Sequence, residues 1–250
     1  MIDAVCVQGK KVDKDLAKRL ALQFGVELIE ELPKDKFCKY LLVDKNGVAF
    51  VAGKQELRAD FTGMLSRVTG GHLQHEILLK AVKLNGREPR DGVRVVDATA
   101  GLGEDSFILA AAGYQVEMFE HNEVTAILLA DALRRGKKDP KLKEIVSRMT
   151  LKQGDSKTLM SQLSYEPDVI YLDPMFPEKK KSAETKKKFQ VLHQIENPCD
   201  DEKELMEAAL LAKPQKIVVK RPPEGPFLAD IKPSHSVTRK AVRFDCIVCK

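Results

Sequence analysis

The sequence predicts an α/β fold in which a doubly wound, mostly parallel sheet follows a small N-terminal α+β unit. Three observations support this prediction. Helical and strand patterns alternate from residue 73 onward, several strand patterns end in an acidic residue, and residues 236–250 alternate in polarity with no helix after them. With 250 residues, the chain is long enough for one such domain, with a substantial core, and a smaller accessory unit.

The smaller unit is predicted to span residues 1–59. A helical pattern covers residues 13–24, and two apolar runs, YLLVD and VAFVA, flank the turn residues 45–47 in the manner of a β-hairpin. Three glycines interrupt residues 60–72, which we expect to form a linker or a substrate loop. The larger domain is then predicted over residues 73–250.

The larger domain shows helix and strand patterns in turn. Helical periodicity is present in HLQHEILLKAVKL, SFILAAAG, VTAILLADALRR and DEKELMEAALLAKP. The pattern of a buried strand is present in VRVVDAT, and further strands are expected at YQVEMFE, MTLKQGD, DVIYLDP and KIVVKRP. A final antiparallel pair that closes the sheet is predicted from the alternating ending, SVTRKAVRFDCIVCK.

The composition is that of a globular protein, with 43% hydrophobic and 32% charged residues. The first residues lack the long apolar stretch of a secretion signal, so we expect a cytoplasmic protein that does not associate with a membrane. A net charge of +5 fits weak attraction to polyanions.

No metal site is expected from the cysteines and histidines. The five cysteines are scattered and are expected to be reduced thiols. Cys246 and Cys249 lie three residues apart in a strand pattern, which places their side chains on opposite faces. His72 and His75 lack carboxylate or cysteine partners at a suitable spacing.

A glycine turn within VVDATAGLGEDS predicts a site for a small ligand. The strand pattern ends at Asp97, and a helical pattern begins directly after Gly101 and Gly103. Ligands of open α/β sheets bind at the carboxyl ends of the strands, and the two glycines let the backbone approach closely. A dinucleotide is disfavoured because Ser106 occupies the position of the third glycine in that fingerprint.

The acids beside this turn favour S-adenosylmethionine as the cofactor. Glu104 and Asp105 would repel a pyrophosphate, whereas S-adenosylmethionine has no phosphate and carries a sulfonium and an ammonium group. We therefore expect Asp97, Glu104 and Asp105 to surround the methionine end of this cofactor.

The next two strand patterns also end in polar residues. Glu120 ends the second one, where its carboxylate can accept hydrogen bonds from both ribose hydroxyls, with His121 beside it. Asp155 and Ser156 follow the third one and can contact the adenine amino group. Each acid alone could equally well cap the following helix, but their repeated placement at strand ends favours a shared site.

Asp173 ends the fourth strand pattern, in the catalytic position of such a sheet, and is followed by Pro174 and Phe176. An exocyclic amine of a base is a poor nucleophile because its lone pair is delocalised into the ring. The Asp173 carboxylate and a backbone carbonyl near Pro174 can accept its two hydrogens during methyl transfer, and Phe176 can stack on the base. The alternative is a strand that ends in an ordinary proline turn, with Phe176 in the core.

A lysine-rich segment, EKKKSAETKKK, follows this motif. Such a run fits binding of RNA phosphates beside the catalytic loop, and it fits a solvated surface as well. The lysines expected to contact RNA are Lys179, Lys180, Lys181, Lys186, Lys187 and Lys188. A further basic rim is expected from Lys220, Arg221, Arg239, Lys240 and Arg243.

Five short motifs occur in a characteristic order, namely DATAGLGEDSF, FEHN, YLDPMFPEKKKSA, VVKRP and RFD. Together they resemble the ribosomal RNA small subunit methyltransferase J family, over a stretch from about residue 60 to the C-terminus. The resemblance implies a Rossmann-like class I methyltransferase sheet and a small N-terminal domain. It also implies S-adenosylmethionine-dependent methylation of a guanine N2 amine in 16S ribosomal RNA.

The resemblance also suggests site residues and a partner. Carried over by position, it assigns cofactor binding to Glu104, Asp105, Glu120, His121, Asp155, Ser156 and Asp173. The family has a basic, glycine-rich segment where this chain reads LSRVTGGHLQHE, and Arg67 is the arginine kept there, so we expect it to contact RNA. The expected partner is ribosomal RNA or the small ribosomal subunit.

Two other functions fit the same residues. An acid followed by proline and an aromatic residue suits any planar amine, so the chain could methylate adenine or cytosine amines in DNA. A non-catalytic RNA-binding or assembly factor could keep the same fold, although an intact Asp173 argues against this function. The sequence does not specify an oligomeric state.

Overall fold

The computed structural model describes residues 2–35, 37–174 and 201–249, which form two β-sheets and the helices that pack on them. The strands are β1 (Ala4–Val7), β2 (Glu27–Ile29), β3 (Lys39–Asp44), β4 (Gly47–Ala52), β5 (Gln55–Leu57), β6 (Arg94–Asp97), β7 (Gln115–Glu120), β8 (Met149–Gln153), β9 (Val169–Leu172), β10 (Lys216–Arg221), β11 (His235–Arg239) and β12 (Val242–Val248). The α-helices are α1 (Lys14–Phe24), α2 (Leu65–Val68), α3 (Ile77–Val82), α4 (Glu104–Ala112), α5 (Glu123–Gly136), α6 (Lys143–Val146), α7 (Ser156–Ser161) and α8 (Glu202–Leu211). Short 3-10 helices cover Thr62–Met64, Leu73–His75, Pro89–Asp91 and Leu228–Asp230.

The larger sheet has the strand order β11-β12-β10-β9-β6-β7-β8. The strands from β10 to β8 are parallel to their neighbours, whereas β12 runs antiparallel to both β10 and β11. The predicted α/β fold is therefore confirmed, including all five parallel strands and the antiparallel pair that closes the sheet. These central strands are rich in valine and isoleucine because helices cover both of their faces.

Helices pack on both faces of this sheet and give two apolar clusters. One cluster contains side chains of α3, α4 and α5, such as Leu78, Ile108 and Leu128, while the other contains side chains of α7 and α8. Cys246 is buried in the first cluster and Cys249 packs against the second, so their predicted placement on opposite faces is confirmed. No α-helix among the described residues has the length and apolarity needed to cross a membrane.

The helix predicted in HLQHEILLKAVKL is shorter than its apolar pattern suggests. Glu76 adopts extended dihedral angles, with φ −71° and ψ 116°, and separates the 3-10 turn at Leu73–His75 from α3. Its carboxylate binds the Arg67 guanidinium of α2, with the Arg67 Nε 2.9 Å from Glu76 Oε1. Segment 60–76 is therefore a series of short turns.

The N-terminal sheet has the order β2-β1-β3-β4-β5. The predicted helix is α1 and the predicted hairpin is β3 with β4, so both are confirmed. The parallel strands β1 and β2 were not predicted, because runs of three or four residues carry little periodicity. One apolar cluster contains side chains of both sheets, and the domain boundary after residue 59 stays a prediction.

A buried carboxylate joins the N-terminal hairpin to α5. Asp131 is 4% exposed, and its Oδ2 accepts hydrogen bonds from the Val48 backbone N–H at 2.9 Å and from Arg135 Nε at 2.7 Å. Arg135 also donates to the carbonyl of Ala59. Since these contacts link residues far apart in the chain, Asp131 fixes how the two sheets pack together.

We expect the substitution Asp131→Ala to destabilise the protein by about 2 kcal/mol, because it leaves the buried Val48 N–H unpaired and removes a charged acceptor. Chemical denaturation would measure the free energy of unfolding. Glu207→Ala, at an exposed position of α8, is the control and should change it little. Equal stability of the two variants would contradict this role for Asp131.

Candidate active site

Three adjacent strands place polar side chains at one edge and on one face of the larger sheet. β6 ends at Asp97, β9 is followed directly by Asp173, and β10 contains Lys220. Because β9 lies between β6 and β10 in parallel register and side chains alternate along a strand, all three point towards α4. Their contacts with the first residues of α4 follow from this: Asp97 binds Ser106 and Lys220 binds Asp105.

The predicted glycine turn connects β6 to α4. Gly101 and Gly103 have left-handed dihedral angles, with φ of 53° and 76°. A Cβ on Gly103 would lie 2.7 Å from Leu129 Cδ1, whereas a Cβ on Gly101 would meet no atom of the described residues within 4 Å. Gly103 therefore allows close packing against α5, and Gly101 presents bare backbone that a ligand can approach closely.

Glu120 holds this turn from the end of β7. Its Oε2 accepts a hydrogen bond from the Gly101 N–H at 2.8 Å, and its Oε1 accepts one from the Asn122 N–H at 2.7 Å. The side chain is 5% exposed, and burial raises the pKa of its carboxyl group. Each carboxylate oxygen has a second lone pair, so Glu120 can also accept hydrogen bonds from a ligand beside the turn.

Asp97 lies behind the turn. It is 1% exposed, and its carboxylate accepts hydrogen bonds from the Ser106 hydroxyl at 2.5 Å and from the Thr99 N–H at 3.2 Å. Burial is the main cause that raises the pKa of Asp97 to about 7. The carboxylate thus ties the turn to α4, and its predicted contact with the cofactor stays a prediction.

Lys220 joins two of the predicted acids. Its Nζ lies 2.7 Å from Asp105 Oδ2 and 2.8 Å from Asp173 Oδ2. The Tyr171 hydroxyl donates to the same Asp105 oxygen at 2.6 Å. Burial opposes ionisation of Asp105, but the Lys220 ammonium outweighs it and lowers the pKa of this carboxyl group.

A backbone contact connects Asp173 to the glycine turn. The Asp173 N–H donates to the Thr99 hydroxyl at 2.6 Å, so the end of β9 and the start of the glycine turn are held together. Pro174, directly after Asp173, is buried. This brings Asp173, Pro174 and the glycine turn into one site.

One of the predicted strand-end acids caps the helix that follows it, and two others do not. Asp155 is the N-cap of α7, and its Oδ2 accepts a hydrogen bond from the Thr158 N–H at 3.0 Å. The N-cap of α5 is instead Asn122 and that of α4 is Gly103, so neither Glu120 nor Asp97 acts as a cap. Asp155 remains at the sheet edge and open to solvent.

Ser156 and His121 occupy different positions around this edge. The Ser156 hydroxyl donates to the Ala98 carbonyl, which connects α7 to the glycine turn. The His121 side chain is 64% exposed, with Nδ1 3.5 Å from Glu120 Oε1. Both therefore adjoin the turn, His121 from the solvent side.

Arg67 lies beside the acidic turn, but it is already paired. Its Nε and terminal nitrogen each lie 2.9 Å from an oxygen of Glu76. This hydrogen-bonded pair raises the pKa of Arg67, and the negative charges of Asp105 and Glu104 add to the effect. Glu104 itself is exposed in the first turn of α4.

The predicted basic rim is wrong for two of its members. Arg221 is 2% exposed and donates from Nε to the Pro226 carbonyl at 2.6 Å. Arg243 donates from Nε to Asp245 Oδ1 at 2.8 Å and also to nearby carbonyls. Both arginines hold the C-terminal part of the fold together and do not face solvent as a rim.

The predictions for Phe176, Lys179, Lys180, Lys181, Lys186, Lys187 and Lys188 lie outside the described residues.

Sequence reasoning missed three residues of the site, Thr99, Tyr171 and the bridging role of Lys220. A signal was present for two of them. Tyr171 and Asp173 lie two residues apart on β9, so a strand pattern places them on the same face. Lys220 follows the buried apolar run 217–219 on β10, and a charged side chain next to such a run is expected to have a partner of opposite charge.

A cavity of about 630 Å³ lies elsewhere, between α7 and α8. Its lining includes Met160, Tyr165 and Leu211, and it contains none of the predicted site residues. We therefore place the site at the strand ends, where the polar groups converge.

Comparison with known proteins agrees with this fold. The profile of a family described as "Putative SAM-dependent methyltransferase" matches residues 28–249. The chain is similar to a ribosomal RNA small subunit methyltransferase J from Chromobacterium violaceum, at 39% identity over 94% of this chain and 93% of that protein. It is also 38% identical to one from Marinobacter nauticus, over 92% of this chain and 86% of that protein.

A solved structure shows the same fold. It is the crystal structure of a SAM-dependent methyltransferase from Neisseria gonorrhoeae, which matches with a TM-score of 0.76 and 28% sequence identity over 98% of this chain and 96% of that one. The acidic strand ends fit the sulfonium and ammonium groups of S-adenosylmethionine, and the bare backbone at Gly101 leaves room for a ligand. The chain belongs to the ribosomal RNA small subunit methyltransferase J family.

Proposed function

We propose that the chain transfers a methyl group from S-adenosylmethionine to the exocyclic N2 amine of a guanine in small-subunit (16S) ribosomal RNA. The observation that carries this proposal is the position of Asp173, which stands at the end of β9 and is tied to the glycine turn through Thr99. The relatives are named as methyltransferases of small-subunit ribosomal RNA, which supports this substrate class.

The proposed cofactor position follows the strand ends. Glu120 accepts hydrogen bonds from the ribose hydroxyls, with His121 at the solvent side. Asp155 and Ser156 would hold the adenine. Asp97, Gly101, Gly103, Glu104 and Asp105 would hold the methionine end, where the negative charge of the acids favours its sulfonium and ammonium groups.

The proposed chemistry is an in-line displacement. S-adenosylmethionine supplies an electrophilic methyl group, whose bond to sulfur breaks as the amine nitrogen donates its lone pair to the methyl carbon. Asp173 accepts a hydrogen bond from the amine and so favours the tetrahedral nitrogen that develops positive charge. A backbone carbonyl near Pro174 accepts the second amine hydrogen, and the extra proton leaves to the Asp173 carboxylate or to water.

The proposed RNA contacts are Phe176, the lysine-rich segment after it and Arg67. Phe176 stacks on the target base, and the six lysines of the segment EKKKSAETKKK neutralise RNA phosphates. Glu76 occupies the Nε and one terminal nitrogen of Arg67, so a phosphate would bind the other terminal nitrogen or displace Glu76. The proposed partner is ribosomal RNA, either free or within the small subunit.

The substrate is tested with small-subunit RNA from cells that lack this protein, alongside duplex DNA. After reaction with isotopically labelled S-adenosylmethionine, the nucleic acid is digested and its nucleosides are identified by mass spectrometry. We expect the label in N2-methylguanosine from the RNA. Label in adenine or cytosine of the DNA, or no transfer to either nucleic acid, would contradict the proposed function.

We expect Glu120→Gln to weaken binding of S-adenosylmethionine by about 10- to 100-fold. The amide replaces one charged acceptor of the Gly101 turn by a donor, and a hydrogen bond to a charged group contributes about 1.5 to 3 kcal/mol. Isothermal titration calorimetry measures the dissociation constant, and Glu207→Gln on α8 is the matched control. An unchanged constant in the Glu120 variant would remove Glu120 from the proposed site.

We expect Asp173→Asn to lower the rate of single-turnover methylation by about 10²- to 10³-fold, as loss of one preorganised contact to a transition state does. RNA affinity should change little, because the contact strengthens mainly as charge develops. The rate is measured at saturating cofactor, after the dissociation constant of each variant for the cofactor is known. Near-normal single-turnover methylation by the variant would exclude this role.

A further inference from the structure

We propose that Lys220 is a positioning residue of the methyl-transfer reaction, whose ammonium group anchors the Asp173 carboxylate against α4 while the amine binds. The inference rests on the proposed function, since it takes Asp173 as the group that contacts the amine. Lys220 itself does not touch the reacting atoms in this proposal. It acts through the carboxylate that it holds.

The geometry fixes the Asp173 carboxylate from one side. Lys220 Nζ lies 2.8 Å from Asp173 Oδ2 and 2.7 Å from Asp105 Oδ2. Asp105 is in turn fixed by the Tyr171 hydroxyl, 2.6 Å from the same oxygen. A chain of contacts therefore runs from the buried Tyr171 through Asp105 and Lys220 to Asp173.

The surrounding elements explain why this ammonium does not move freely. Lys220 lies on β10, between β9 and β12, and its side chain points to the face that α4 covers. The side chain is 31% exposed, compared with 36% for Asp173 and 21% for Asp105. The three side chains are thus partly accessible to a substrate, and the Lys220 backbone is held within the sheet.

Charge is the second reason for the assignment. Asp97, Asp105 and Asp173 converge at this edge, and carboxylates so arranged repel each other when they are ionised together. Lys220 contacts two of them directly, and Tyr171 and Arg67 contribute from β9 and α2. Burial opposes the charge of Lys220, but Asp173 and Asp105 outweigh it and hold its pKa above the ordinary value. The ammonium therefore stays charged over the whole working range of pH.

Loss of Lys220 should affect the rate more than the binding of either substrate. Without the ammonium, the Asp173 side chain can rotate away from the amine, and a displacement of about 1 Å at a reacting group can cost about 100-fold in rate. The two carboxylates also lose the cation that favours their charged form, so both titrate at higher pH.

The test compares Lys220→Met, Lys220→Arg and the matched control Lys203→Met, which replaces an exposed lysine of α8. Single-turnover methylation is followed across pH at saturating cofactor and RNA. We expect Lys220→Met to react about 10- to 100-fold more slowly. We also expect the fall in its rate at low pH to begin at a higher pH than in the wild type. Lys220→Arg should keep most of the wild-type rate and the wild-type pH dependence. The Lys203→Met control should match the wild type in both.

A double-variant cycle separates positioning from general stability. If Lys220 acts through Asp173, the Lys220→Met substitution should change the rate little in an Asp173→Asn background, because the anchored carboxylate is already gone. Thermal unfolding and cofactor affinity are measured for every variant. If Lys220→Met does not fold, Lys220→Gln takes its place in the same comparison.

Three outcomes would overturn the proposal. Lys220→Met could react at the wild-type rate with an unchanged pH profile, or its effect could be undiminished in the Asp173→Asn background. It could also bind RNA more tightly and react faster, which would make Lys220 a resident cation that the amine displaces. Failure of the proposed function is distinct, because it is seen in the wild type, as methylation of a different amine or as no transfer, whereas failure of the Lys220 role is seen only when the variants are compared with an active wild type.

Discussion

The site depends on the two-residue periodicity of parallel strands whose carboxyl ends meet at one edge. Asp97, Asp173 and Lys220 come from β6, β9 and β10, and only a fixed register between these strands turns all three side chains towards α4. A slip of one residue in β10 would exchange Lys220 with Arg221, which now points to the opposite face and binds Glu202. The electrostatic character of the site is thus set by hydrogen bonding within the sheet.

Buried carboxylates then shape the backbone that the cofactor approaches. Glu120 and Asp97 are both nearly inaccessible, and burial of an ionised group is costly unless hydrogen bonds compensate it. The compensation comes from backbone N–H groups of the glycine turn and from the Ser106 hydroxyl. The same hydrogen bonds that compensate the burial of these carboxylates also hold the glycine turn in its left-handed conformation. The stability of the turn and the shape of the site therefore have one physical cause.

Much of this arrangement could be predicted from the sequence, because local patterns carry it. Each parallel strand had a strand pattern in the sequence, and Asp97, Glu120 and Asp173 were recognised by their place at the ends of such patterns. The bridge between Lys220 and Asp105 could not be predicted, since it joins residues 115 positions apart and depends on strand order. Burial of Arg221 was missed for the same reason, because its partners come from outside its own strand.

The balance of charge at this edge has a consequence for turnover. With the Asp97 pKa near 7, the cluster of Asp97, Asp105, Asp173 and Lys220 carries a net charge between about −1 and −2 at neutral pH. In the proposed function, such a charge favours a sulfonium over the neutral thioether that remains after methyl transfer, so the proposed site would bind the cofactor more strongly than its product. Lys220 offsets part of this negative charge, and its ammonium contacts the Asp173 carboxylate that is proposed to bind the amine.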